Sequence, residues 1–100
     1  MAKRVVLLGG DLLFRSKLGG AVAAAGGEVV KDGAACDLAV VNAELPAAVD
    51  RIRGFVAAGV PVLAYGAHVR ADLLRNARDA GATAVPNSEV EGRLRALLAP

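Results

Sequence analysis

The chain has 100 residues, 55% of them hydrophobic and 22% charged; that fits one domain burying about two thirds of its unfolded surface and leaves no room for a second. Twelve basic residues against ten acidic give a net charge of only +2, too weak a field to imply a nucleic-acid partner, and the three aromatics Phe14, Phe55 and Tyr65 offer few stacking surfaces. No apolar run reaches the roughly 18 residues that span a bilayer, and Lys3-Arg4 passes into a short apolar strand without a signal-peptide pattern, so a cytoplasmic protein with no membrane contact is expected.

Apolar runs of strand length alternate with helical patterns. Arg4 to Leu8 is a continuous aliphatic run, as in a strand covered on both faces, and Gly9-Gly10 closes it. Leu12 to Ala25 predicts a helix with Leu12, Leu18, Val22 and Ala25 inward, ended by Gly26-Gly27. Gly19 and Gly20 inside it cost about 1 kcal/mol each relative to alanine, which means either close packing on the sheet or a locally weak helix. Glu28 to Val30 is a short second strand, Lys31-Asp32-Gly33 a turn, and Asp37 to Val41 a third strand. A parallel crossover normally takes about a dozen residues and a helix. Only Lys31 to Cys36 are available, so that helix must be missing or reduced to one turn. The lone Cys36 can form neither an internal disulfide nor a multi-cysteine zinc site, and it reads as a partly buried, inert thiol.

Beyond Pro46, Ala47 to Ala58 predicts a helix with Val49, Ile52, Phe55 and Val56 inward, closed by Gly59. Val60 to Tyr65 is a fourth strand. Val69 to Ala80 is a helix with Leu73, Leu74 and Ala77 on one side and Arg70, Asp72, Arg75 and Asp79 on the other. Thr83 to Val85 is a short fifth strand. Ser88 and Glu91 have the spacing of a capping box for a last helix striped by Val90, Leu94, Leu97 and Leu98. This alternation points to an α/β, doubly wound, five-stranded parallel sheet of flavodoxin-like order 2-1-3-4-5. Its ligand site belongs at the carboxyl ends of the strands, in the loops after Leu8, Val41, Tyr65 and Val85.

The run Asp37-Leu38-Ala39-Val40-Val41-Asn42-Ala43-Glu44-Leu45-Pro46, with Gly59-Val60-Pro61-Val62-Leu63 and Ala80-Gly81-Ala82 in the same order and spacing, resembles the response-regulator receiver (CheY-like) family. The resemblance covers nearly the whole chain apart from the second helix. Receivers hold magnesium with an acidic pair after the first strand and take phosphate on an aspartate after the third. They place a serine or threonine after the fourth strand and a lysine after the fifth. Counting back from Gly26-Gly27-Glu28-Val29, the acidic pair falls on Gly9 and Gly10, with Asp11 one place beyond. Asn42 takes the acceptor position, Gly66 the hydroxyl position, and Pro86-Asn87-Ser88 contains no lysine. Magnesium wants carboxylate and water oxygens, and a neutral amide is a poor nucleophile toward phosphorus. The resemblance therefore implies a degenerate pseudo-receiver in two-component or phosphorelay signalling: an interaction module with no catalytic residue, no metal and no cofactor.

Two functions of different class follow. One is docking to a protein partner or to a second copy through the face from residue 69 to 98, with Arg70, Arg75, Arg78 and Arg93 at its rim; self-association around Phe14 of the first helix is an alternative. The other is a small-ligand or divalent-metal site in which Asp11, Glu44 and His68 converge at the strand ends. No two histidines share a helical face, Gly9-Gly10 lacks the full dinucleotide fingerprint, and neither Ser16 nor Ser88 has a histidine close in sequence.

Overall fold

Strands whose residues are buried on alternate sides need a layer of helices on each face, and the chain builds both layers. The computed structural model describes residues 2–99. In chain order the elements are β1 (Arg4–Leu8), α1 (Leu12–Ala24), β2 (Glu28–Val30), β3 (Leu38–Asn42), α2 (Ala48–Ala57), β4 (Val62–Gly66), α3 (Ala71–Asp79), β5 (Thr83–Pro86), a single 3-10 turn (Asn87–Glu89) and α4 (Val90–Leu98). All five strands are parallel, in the order β2-β1-β3-β4-β5. The register sets Leu8 beside Val41, Asn42 beside Tyr65 and Gly66 beside Pro86, so the carboxyl ends of the four longer strands form one rim.

Successive side chains point to opposite faces. Val5 and Leu7, with Val40, Leu63 and Val85, pack under Leu18, Ala21 and Val22 of α1 and Val90, Leu94 and Leu98 of α4. Val6 and Leu8, with Ala39, Val41 and Ala64, pack under Ala48 and Ile52 of α2 and Leu74 and Ala77 of α3. The small residues Ala39, Ala64, Ala82 and Ala84 let α2 and α3 lie close to the sheet.

The β2–β3 connection contains no helix. Residues 31–37 cross β1 on the face carrying α2 and α3, burying Val6 and packing Val30 and Cys36 against the core. Seven residues reach about 25 Å when extended, which suffices to pass over one strand without a helical layer. Both ends are pinned: the Asp32 carboxylate accepts from Arg51 of α2, and the Asp37 carboxylate accepts from the backbone N–H of Arg4 at 2.8 Å. With the Asp37 side chain tied to the start of β1, β3 begins at Leu38 and runs one residue further than the sequence pattern indicates, to Asn42.

Four other expectations are corrected. Leu12 is 84% exposed; it lies six residues, about 120° of helical rotation, from Leu18, and so faces away from the sheet. Ala25 caps the end of α1 and is exposed, while Ala21 takes its place in the stripe. Val56 and Leu97 sit at the margins of their stripes, half out of the core. Ser88 and Glu91 form no capping box, since the 3-10 turn shifts the start of α4 to Val90 and Glu91 instead pairs with Arg95 at 3.1 Å and with Lys17 of α1 at 3.4 Å. Among the described residues no helix is long and apolar enough to cross a membrane.

Candidate functional site

At the strand-end rim, β1 gives way to Gly9 and Gly10, both in the left-handed region (φ +82° and +85°), where a side chain is strained. Asp11 then caps α1, its Oδ1 accepting from the N–H of Phe14 at 2.8 Å. Arg15, one turn into α1, returns its guanidinium to the carbonyls of Leu7 (3.1 Å) and Gly9 (3.3 Å) and so fastens the glycine turn to the helix. At the end of β3 the Asn42 side chain accepts from the N–H of Glu44 at 2.9 Å, closing the following turn.

Tyr65, next to last in β4, is the residue that sequence reasoning missed. It is only 3% exposed, and its ring packs against Phe14 with centroids 5.0 Å apart, tilted by 39°. Burial pushes its hydroxyl up to about 12 from an ordinary 10.0; the positive charge of Arg15 opposes the shift and the carboxylate of Asp11 adds to it. The available signal was a lone tyrosine at the end of an apolar strand, whose hydroxyl needs somewhere wet to point.

These groups enclose a cavity of about 220 Å³ lined by Gly10, Asp11, Phe14, Asn42, Glu44, Tyr65 and Asn87. Asp11 and Glu44 both line this cavity. His68 does not join them; it is exposed in the turn before α3. Among the described residues no three histidine, cysteine or acidic side chains are placed to hold a metal ion.

Packing as well as backbone conformation fixes the two glycines. A Cβ on Gly9 would lie 2.8 Å from Asn42 Cβ and 2.9 Å from Leu45 Cγ, and one on Gly10 would lie 2.6 Å from Tyr65 Oη. Gly66 differs, since a Cβ there would sit 3.5 Å from Leu74 Cδ2, an ordinary contact. The space beside Gly9 and Gly10 is therefore filled by neighbours, whereas Gly66 has room for a small side chain. A magnesium ion does not fit this donor set.

A larger cavity of about 470 Å³ lies elsewhere, between the 31–37 connection and α2, with Val6, Cys36, Phe55 and Val60 among its walls and Asp32, Asp50 and Arg51 also lining it. Burial, with the charge of Asp37 beside it, pushes the Cys36 thiol up, so the sulfur is a neutral wall group. On the opposite edge of the sheet the arginines divide. Arg70 pairs with Asp72 at 3.4 Å, and Arg75 and Arg93 are exposed. Arg78 is exposed as well, and its Nη2 donates to the carbonyl of Ala84 at 2.9 Å and so covers part of the β5 edge.

No protein-family model matches the chain, and no curated protein does. Solved structures do. NtrX from Brucella abortus superposes over 97% of this chain and 26% of its own, with a TM-score of 0.79 and 15% identity. A CheY-like receiver domain protein from Methanospirillum hungatei covers 98% of this chain and 94% of its own (TM-score 0.74, 14% identity). The signal receiver domain of the NarL response regulator from Mycobacterium tuberculosis covers 97% and 93% (TM-score 0.71, 21% identity). The fold is that of a response-regulator receiver domain. This chain spans about a quarter of NtrX but nearly the full length of the isolated receivers. In this chain the fold carries a helix-free crossover at 31–37 and a packed glycine turn at the strand ends.

Proposed function

We propose that the chain is a receiver-like signalling module of a bacterial two-component-type system that acts by protein contact, takes no phosphate and catalyses no reaction. One observation carries this reading. At the positions where receivers place their metal-binding acids, the backbone is left-handed and the space for a side chain is taken by Tyr65, Asn42 and Leu45. Without a hard cation there is nothing to neutralise a phosphoryl group at the rim, and the amide of Asn42 is a poor nucleophile committed to Glu44 N–H. The divalent-metal alternative is not favoured, because two carboxylates, one of them spent on a helix cap, leave a hard ion short of oxygens.

The interaction face on this reading is cytoplasmic and protein-directed, formed by α3, β5 and α4. Arg75 and Arg93 supply its free positive charge, and Arg70 contributes as an ion pair with Asp72. The test is to incubate the chain and its Asn42→Asp variant with acetyl phosphate and magnesium chloride, then read the intact mass. Both are expected to stay unmodified. A phosphate adduct on the wild-type chain would sink the reading. Efficient labelling of the variant would show that the glycine turn still admits the metal.

A further inference from the structure

The hydroxyl of Tyr65 has no hydrogen-bond partner among the described residues, although the side chain is only 3% exposed. It opens into the strand-end cavity, where the lining holds the carboxylates of Asp11 and Glu44, the amides of Asn42 and Asn87, and the ring of Phe14. No lysine or arginine lines that cavity. The nearby guanidinium of Arg15 is engaged with the carbonyls of Leu7 and Gly9. Two formal negative charges, both on exposed side chains, therefore border a small space that no positive charge lines among the described residues.

Size and donor chemistry narrow the occupant. About 220 Å³ is below the roughly 300 Å³ at which pockets for whole small molecules begin, but it admits the end of one long side chain. One oxygen of Asp11 already caps α1. What remains suits a soft-edged organic cation carrying N–H donors better than a divalent ion that demands six or more oxygens. An ammonium or guanidinium would meet both carboxylates, donate to the Tyr65 oxygen and lie against the aromatic pair. Because the Tyr65 proton is held well above neutrality, that hydroxyl stays neutral while it does so.

A second observation says that the cation arrives on a protein. Leu12 and Leu13, the two residues after Asp11, are 84% and 85% exposed. Adjacent leucines this bare beside a charged pocket are the pattern of an apolar contact flanking a polar anchor.

We propose that the strand-end cavity and the Leu12–Leu13 pair together form a docking site for a protein partner. The partner inserts one lysine or arginine side chain between Asp11 and Glu44, over the Tyr65 hydroxyl, and lays a neighbouring apolar residue on the two leucines. This rests on the interaction-module reading and adds to it a contact at the strand ends, distinct from the α3–β5–α4 face.

The test titrates the nitrogen-labelled full chain with the peptide acetyl-Ala-Leu-Arg-Leu-Ala-amide and with its citrulline counterpart, which keeps the shape and removes the charge. The arginine peptide is expected to move the amide signals of Gly10, Asp11, Asn42, Glu44 and Asn87, and citrulline to bind about fivefold or more weakly. Glu44→Gln should abolish the difference between the two peptides, and Leu13→Ser should weaken both; amide spectra of the free variants report that each is folded. Equal binding of the two peptides, signals that move only on α3 and α4, or saturation of the same signals by magnesium chloride would overturn the docking site. Those results leave the module reading standing, which falls only if the wild-type chain takes phosphate from acetyl phosphate.

Discussion

The hydroxyl oxygen of Tyr65 lies 2.6 Å from the point at which a side chain on Gly10 would begin. The two residues are therefore coupled, and each defines what the other can be. Gly10→Ala should lower stability by about 2 kcal/mol, from the left-handed backbone and the displaced hydroxyl together. In the double variant with Tyr65→Phe, part of that loss should return, and a urea-denaturation cycle over the four proteins measures the coupling. Independent, additive effects would mean that the ring moves aside at no cost.

Installing acids at Gly9, Gly10 and Asn42 together should not create a phosphate acceptor. The triple variant Gly9→Asp, Gly10→Asp, Asn42→Asp is expected to melt below the wild-type chain and to remain unlabelled by acetyl phosphate with magnesium, because both new side chains start inside the contact distance of Leu45, Asn42 and Tyr65. Gly66→Ser is the contrasting control. Its Cβ meets Leu74 at 3.5 Å, so its melting temperature should stay close to that of the wild type.

Alkaline pH should act through Tyr65. Its folded-state value is pushed up to about 12, against 10.0 for the ordinary group, so the fold favours the protonated form. That contribution is fully present below pH 10 and is lost as pH rises toward 12. Phenolate absorbance followed alongside circular dichroism should show ionisation arriving with unfolding, and Tyr65→Phe should flatten the stability profile over that window. Ionisation near 10 in a folded chain would show the hydroxyl to be well hydrated.

Helix α1 carries an avoidable weakness. A Cβ on Gly20 would meet nothing within 4 Å, and one on Gly19 would only touch Val29 at 3.9 Å, so neither glycine is there to let the helix approach the sheet. Gly20→Ala should raise stability by about 1 kcal/mol in denaturant titration. A destabilised variant would mean that a side chain at this position meets an unfavourable contact in the folded chain.

Arg78 and Arg75 stand on one helix but should behave oppositely. Arg78→Ala removes the donor to Ala84 and should cost about 1 kcal/mol while baring the edge of β5, which sedimentation would register as concentration-dependent association. Arg75→Ala should leave stability unchanged and alter only binding to a partner on that face.

Most of the fold was legible because it rests on local pattern: aliphatic runs too short for helices, glycines at helix ends, and a connection at 31–36 too short to hold a helix. The boundaries slipped where a side chain competes with the backbone, as at Asp37, whose carboxylate holds the first residue of β1 while β3 starts one residue later, at Leu38. The placement of Ser88 failed for a related reason, since a 3-10 turn after Pro86 shifts the start of the last helix to Val90. At the site, the identities of Gly9, Gly10, Asp11 and Asn42 could be counted along the chain. That the two glycines are enclosed could not, because the enclosing atoms belong to Leu45 and Tyr65, brought there by the register of β1, β3 and β4. The tie of Arg78 to Ala84 was hidden for the same reason: its charge shows in the sequence, but the carbonyl that takes it up is a product of the folded edge.

The chain has one tyrosine and no tryptophan, and that tyrosine forms a wall of the strand-end cavity. Its ultraviolet emission therefore comes from a single known place. Quenching, polarisation or a lifetime change recorded on the unlabelled protein reports directly on what enters the rim, with no engineered probe and no second fluorophore to subtract.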